Sequence, residues 1–145
     1  MQKIVVDTNI LFSFLLKKNE EIRKVLFSEK IKIFTTYHLI IEIFRHKEKL
    51  LKYSQLSEVE IEEGLLLFLE KIIFIPWKEI PSDYKMKAYH ILKHCDLKDI
   101  PFLALSLYID AKLWTGDKNL CKFLKKAKLD ICITTKEFLN LFYNI

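Results

Sequence analysis

Glycine and proline are scarce in this sequence, which has two of the first and three of the second among its 145 residues. Because these residues mark turns and flexible linkers, their scarcity argues against linkers or low-complexity segments and predicts short loops. Apolar runs are also short, and none approaches the roughly 18 residues that a membrane-spanning helix needs. We therefore expect one globular domain over residues 1–145, with no membrane segment.

Cysteine is the third rare residue. Cys95, Cys121 and Cys132 are odd in number and form no Cys-x-x-Cys pair. This pattern argues against a disulfide framework and favours a reducing, cytoplasmic location. His90 and His94 have the spacing of zinc ligands, with Cys95 beside them, but no partner motif supplies a fourth ligand, so no zinc site is predicted.

Basic residues outnumber acidic ones, 24 to 19, which gives a net charge of +5. A basic balance favours a polyanionic partner such as nucleic acid. The stretch KNLCKFLKKAK at residues 118–128 is typical of a solvated helix face, and its lysines would also reach phosphates. The residues predicted to contact nucleic acid are Arg45, Lys118 and Lys122.

Short apolar runs alternate with helix-like patterns along the chain. The predicted strands lie at residues 3–6, 31–34, 71–75, 111–115 and 130–134. This alternation predicts the α/β class, with a mostly parallel, twisted sheet of about five strands that is flanked by helices on both faces.

Helix boundaries follow from capping signals. The stretches SEVE at residues 57–60 and TTKE at residues 134–137 have the spacing of capping boxes. Thr35 and Thr36 are predicted to cap a helix that ends near Arg45. The residues of this helix that are predicted to face the core are Leu39, Ile40, Ile43 and Phe44.

The first predicted strand ends in an acid within the apolar stretch KIVVDTNILF. A carboxylate is costly to desolvate without a partner, so Asp7 either caps the helix that follows or holds a cation. Asp117 follows the fourth strand, after Thr115 and Gly116, and is either a turn residue or a second acid at the same sheet edge. Two carboxylates so placed repel each other unless a divalent cation lies between them.

Three further acids accompany these two. Asp99 precedes the uncharged stretch IPFLALSLYI, where it either caps a buried helix or joins Asp96 in an acid cluster. Glu42 lies in YHLIIEIFRHK, and its flanking isoleucines bring it near the core boundary. Helical spacing groups Glu42 with His38, Arg45 and His46.

These stretches together resemble the PIN-domain family of nucleases, and VapC-type toxins in particular. The resemblance rests on IVVDTNILFS, Glu42, DLKDIPFLALSLYIDAKLWTGDKNL and the closing strand and helix, and it spans essentially the whole chain. It implies four catalytic acids: Asp7, Glu42, Asp99 and Asp117. Polar residues that match the positions orienting these acids are Thr8, Asn9 and Thr115. Asp96 is an acid beyond the family pattern, so the candidate metal ligands are Asp7, Asp99, Asp117 and Asp96.

The resemblance implies a ribonuclease that hydrolyses RNA phosphodiester bonds, as the toxin of a VapBC-type pair, with an antitoxin partner and a homodimeric state. Carboxylates suit Mg²⁺ or Mn²⁺ as the cofactor. Two alternatives within the family are a non-toxin RNA-processing nuclease and a catalytically silent nucleic-acid-binding module. A phosphohydrolase of the haloacid-dehalogenase type would need Asp-x-Asp after the first strand, where this chain has Asn9.

Overall fold

The computed structural model describes residues 2–144, in which strands and helices alternate. The five strands in this range are β1 (Gln2–Val6), β2 (Ile31–Thr36), β3 (Ile73–Ile75), β4 (Lys112–Trp114) and β5 (Cys132–Ile133). The eight α-helices are α1 (Thr8–Leu16), α2 (Glu20–Phe27), α3 (His38–Tyr53), α4 (Glu58–Lys71), α5 (Ser82–Leu92), α6 (Ile100–Ile109), α7 (Lys118–Lys126) and α8 (Thr135–Tyr143). Two 3₁₀ helices cover Trp77–Glu79 and Leu97–Asp99.

The strands form one parallel sheet in the order β3-β2-β1-β4-β5. Ile4, Val5 and Val6 of the central strand are all buried. Burial of consecutive residues means that both faces of the sheet are covered, since neighbouring side chains in a strand point to opposite faces. The predicted α/β class and parallel sheet are confirmed.

The strand order reverses direction between β1 and β4. Right-handed crossovers place α1–α4 on one face of the sheet and α5–α7 on the other. On the second face α6 packs across β1, β2 and β4. Although α6 is apolar nearly all round, no helix within residues 2–144 is long and apolar enough to cross a membrane.

The third helix differs from its predicted form. Thr35 and Thr36 are not caps: they are the last residues of β2 and pair with Phe74 and Ile75 of β3. The helix α3 continues to Tyr53, well beyond the predicted end. Its fully buried residues are Leu39 and Leu50, whereas Ile40 and Phe44 are exposed, because α3 packs on α1 with the opposite side.

Both predicted capping boxes are present, at the starts of α4 and α8. The cysteine count argues against a disulfide framework, but the structure has a disulfide. Cys121 of α7 and Cys132 of β5 are bonded through their sulfur atoms, because the chain returns from α7 along β5 and brings their Cα atoms to 5.4 Å. Cys95 is free and exposed. The cysteine pattern therefore no longer supports the predicted cytoplasmic location.

Candidate active site

Two predicted acids leave neighbouring strands at the same edge of the sheet. Val6 pairs with Trp114, and the backbone N–H of Asp7 donates to the Trp114 carbonyl at 3.4 Å. Thr115 and Asp117 follow directly on the β4 side. Because β1 and β4 are parallel neighbours where the strand order reverses, their carboxyl ends open on the crevice in which such sheets bind ligands.

Asp7 is an almost fully buried acid, with 2% of its surface exposed. It stands at the N-cap position of α1 but makes no capping hydrogen bond of normal geometry, and neither carboxylate oxygen has a partner in such geometry among residues 2–144. Burial raises the pKa of Asp7 to about 7; the nearby Thr115 hydroxyl and the backbone N–H groups of Ile10 and Asn9 lower it in part, and the charge of Glu42 adds to the rise. Two orphaned buried oxygens favour a bound cation over a cap.

Asp99, at the start of α6, is likewise a buried acid at a helix N-terminus. It occupies the N-cap position without a capping bond, and its buried Oδ2 has no partner in the described part of the chain. Burial raises the pKa of Asp99 to about 7, with further contributions from four nearby negative charges. In decreasing order of effect, these charges are Asp7, Asp96, Asp117 and Glu42. The acids therefore share one electrostatic field, in which each disfavours the ionised form of Asp99.

Asp117 and Asp96 do serve as caps. Asp117 Oδ1 accepts from the N–H groups of Asn119 and Leu120, at 3.0 and 3.1 Å, and Asp96 Oδ1 accepts from the N–H of Lys98 at 3.0 Å. The Asp117 N–H donates to Thr115 Oγ1 at 3.0 Å. These bonds fix the turn that presents Asp117.

The remaining acid, Glu42, is tied to the first helix. Thr8 Oγ1 donates to Glu42 Oε1 at 2.9 Å, which joins the start of α1 to α3. Thr35 Oγ1 donates to the Val6 carbonyl at 2.9 Å and fixes the exit of β1 from the sheet. These two buried threonines hold the backbone of Asp7 and the carboxylate of Glu42 in defined positions.

A cleft of about 670 Å³ opens above this edge. Its acidic and amide lining consists of Asn9, Glu42, Asp96, Asp99 and Asp117. Its apolar and aromatic lining consists of Phe12, Leu16, Leu50 and Tyr53. Its basic lining consists of His46, Lys49 and Lys98. Asp7 is buried and does not itself line the cleft, and the predicted RNA contacts Arg45, Lys118 and Lys122 are exposed outside its lining.

Several lining residues were missed by the sequence analysis. His46 is the helix neighbour of Glu42 named above, whereas Leu50 and Tyr53, which follow Glu42 by eight and eleven residues on α3, were not indicated. Helical spacing from Glu42 would have indicated them, had the helix been predicted to its true end.

The acids fit a loosely held divalent ion better than a closed cage. Within residues 2–144, no three His, Cys, Asp or Glu side chains are grouped closely enough to hold a metal by themselves. Mg²⁺ keeps several waters and is commonly bound through only one or two carboxylates, so it does not require such a cage. The unpartnered oxygens of Asp7 and Asp99 are the hard ligands that it prefers.

The fold and the site define a class: an α/β protein with a cluster of carboxylates in a cleft at the carboxyl edge of a parallel sheet. A family model described as PIN domain matches residues 5–134. The chain belongs to the PIN-domain family, whose members are nucleases. No curated protein matches the chain in sequence.

Solved structures of similar fold include two VapBC complexes. One is the crystal structure of VapBC2 from Rickettsia felis bound to a DNA fragment from their promoter, with 16% identity and a TM-score of 0.68 over 92% of this chain and 98% of that chain. The other is VapBC-1 from nontypeable Haemophilus influenzae, with 14% identity and a TM-score of 0.62 over the same shares of both chains. At these identities the similarity is one of fold.

Proposed function

We propose that the protein is a divalent-metal-dependent ribonuclease, and that it is the toxin component of a VapBC-type pair. The observation that carries the proposal is the buried carboxylate of Asp7, whose two oxygens have no hydrogen-bond partner of normal geometry. This carboxylate lies close enough to Asp99, at the edge of the cleft, for their charges to interact. Membership of a nuclease family and similarity in fold to chains of VapBC complexes support it.

In this proposal Asp7 and Asp99 would bind Mg²⁺ or Mn²⁺ directly, Asp117 would contact it through the waters that the ion keeps, and Asp96 lies at the exposed end of the cluster. The bound ion supplies an activated water and neutralises phosphate charge. Thr8 keeps Glu42 oriented toward the site through its hydrogen bond. Thr115 fixes the turn that carries Asp117, and Asn9 lines the cleft beside them.

The partners that we propose are RNA, an antitoxin protein and a second copy of the chain. The location that we propose is the cytoplasm. The outer face of α3, which consists of Ile40, Ile41, Phe44 and Leu51, is between 38% and 72% exposed and supports a protein partner. An antitoxin would silence the site by inserting an arginine or lysine among the acids, where charge-assisted hydrogen bonds are strongest.

The test of this function is RNA cleavage by the purified protein with and without a divalent ion. We expect cleavage with Mg²⁺ or Mn²⁺, its loss on chelation and its return when the ion is restored, because the acids alone provide no substitute for the ion's charge. Cleavage that persists in a chelator, while Asp7→Asn is inactive, would contradict the metal dependence.

Expression in a growing host separates the toxin from the alternatives. If the protein is a toxin, expression of the wild type should arrest growth, whereas expression of Asp7→Asn should not. An RNA-processing nuclease would cleave RNA in vitro yet leave growth unchanged in both forms. A silent binding module would bind RNA without cleaving it under any metal condition.

We also propose that Lys118 and Lys122 contact the RNA backbone. Both are exposed at the start of α7, directly after Asp117. Replacing both with Ala should weaken RNA binding across sequences and reduce the slope of log affinity against log salt by about 1 to 2, since each phosphate contact releases counterions. The matched control replaces Lys125 and Lys126 in the last turn of the same helix; an equal effect of the two pairs would contradict a local contact.

A further inference from the structure

The cleft has an apolar wall that metal and phosphate chemistry does not require. Phe12 and Leu16 lie one turn apart on α1, and Leu50 and Tyr53 lie one turn apart on α3. Phe12 and Leu16 are partly buried, and Tyr53 is 60% exposed. We call these four residues the apolar wall. Hydrating such a surface beside a cluster of acids is unfavourable, so the wall suits an apolar part of a ligand.

The apolar wall is held in place by backbone contacts. Ser54 Oγ donates to the Leu15 carbonyl at 2.6 Å, and the Gln55 N–H donates to the Leu16 carbonyl at 2.7 Å. These bonds tie the end of α3 to the end of α1, which fixes Tyr53 near Leu16. The Phe12 and His46 rings meet edge to face, with centroids 6.1 Å apart. The wall is therefore a formed surface on two joined helices.

The wall also continues directly from the acids. Along α3, His46 lies one turn beyond Glu42, and Tyr53 lies about two turns further. Lys49 and Lys98 line the same cleft and offer positive charge beside the acids. A ligand that spans this cleft would thus present an anionic group at one end and a flat apolar group at the other. A short stretch of RNA has both, and its phosphates would also meet the two lysines.

We propose that the apolar wall is a stacking subsite for a nucleobase a few nucleotides away from the cleaved phosphate, and that Tyr53 is its principal contact, since about three helical turns separate Tyr53 from Glu42. This inference rests on the proposed ribonuclease function and adds a base-binding position to its cleft. In a duplex, both faces of a base are covered by its neighbours, so only an unpaired base can lie on the wall. An RNA that uses this subsite must therefore be unpaired at the position that lies on Tyr53.

The test measures binding by the Asp7→Asn protein, which keeps the cleft without turning over the RNA. The probe is a single-stranded RNA that contains one 2-aminopurine, whose fluorescence is quenched when the base stacks. We expect quenching on binding. Tyr53→Ala should lose the quenching and bind about 5- to 150-fold more weakly, the range seen for loss of one base–aromatic stack. Tyr53→Phe, which keeps the ring, should bind as the parent does.

The matched control is Tyr89→Ala, which removes an exposed tyrosine of α5 that does not line the cleft. It should leave binding unchanged, and annealing the RNA to its complement should remove the difference between Tyr53→Ala and its parent. Equal binding by Tyr53→Ala and Tyr89→Ala, with no quenching, would overturn the subsite while leaving the ribonuclease function intact, and would assign the wall to an apolar segment of a protein partner. Failure to bind RNA at all would overturn the subsite together with the proposed function.

Discussion

Replacement of Asp7 by Asn is expected to reduce RNA cleavage by more than about 100-fold, a larger loss than removal of a residue that only orients a metal ligand. The amide has nearly the shape of the carboxylate, so the surrounding fold should be kept. It lacks the negative charge, however, and charge is what a divalent ion needs at a buried site. The measurement is the initial rate of cleavage of a labelled RNA at saturating Mn²⁺.

The matched control is Asp130→Asn, which makes the same chemical change at an exposed position. Asp130 pairs with Lys112 at 3.6 Å, and such an exposed pair contributes little to stability. Its cleavage rate should equal that of the wild type. If Asp7→Asn retained a comparable rate while its circular dichroism matched the wild type, Asp7 would not be part of the catalytic site.

The position of Asp7 could be predicted from sequence, but its role could not. Alternation of strands and helices places an acid at the end of β1 whether that acid caps a helix or holds an ion. The two roles differ only in hydrogen bonds: Asp117 accepts two capping N–H bonds, whereas Asp7 and Asp99 accept none. The backbone differs at the three acids, with ψ at 98° for Asp117, 178° for Asp7 and -12° for Asp99, and no residue pattern encodes that difference.

The length of α3 was predicted wrongly for a different reason. Thr35 and Thr36 have the side chains of good helix caps, and only their pairing with β3, almost forty residues later, makes them strand residues. The helix also carries apolar residues on two sides, so the sequence does not say which side is buried. The packing of α1 decides it, and leaves Phe44 72% exposed. Leu50 and Tyr53, the α3 half of the apolar wall, were missed because they lie beyond the predicted end of that helix.

The disulfide shows the limit of counting cysteines. An odd number of cysteines argues against a framework, but it does not exclude one pair. Cys121 and Cys132 are eleven residues apart and meet because α7 is followed by a strand that runs back into the sheet beside it. That proximity is a property of the topology.

In the absence of metal, the protein should lose stability as the pH rises from about 5 to about 8. Burial raises the pKa of Asp7 from its ordinary value of 3.8 to about 7. Between these values the folded chain holds a proton that the unfolded chain has released, so the free energy of unfolding falls with rising pH. The stabilisation is fully present below the unfolded pKa and is lost above about 7. For one such group the whole loss is about 4 kcal/mol, at ~1.4 kcal/mol per pKa unit, and about 3 kcal/mol of it falls above pH 5.

Other shifted groups act differently over this interval. The capping-box acids Glu60 and Glu137 have lowered pKa values because they accept hydrogen bonds from Ser57 and Thr134, so both are ionised in either state above about pH 5. Burial lowers the pKa of His38, which gives a contribution of opposite sign, since the unfolded chain then binds more protons. Asp7→Asn keeps His38. The contribution of His38 therefore cancels when the free energy of unfolding of the variant is subtracted from that of the wild type at each pH.

The measurement is urea unfolding at several pH values, in a chelator and with saturating Mn²⁺. In the chelator, Asp7→Asn should have a much flatter pH dependence than the wild type, because the substitution removes one buried acid and also the largest charge acting on Asp99. Mn²⁺ should restore the stability of the wild type at high pH, since an ion that binds only the folded state replaces the lost proton, and should do so far less for Asp7→Asn. If, in the chelator, the stability of the wild type fell no more with rising pH than that of Asp7→Asn, then Asp7 would ionise freely in the folded state. The cation site inferred from its two unpartnered oxygens would then be wrong.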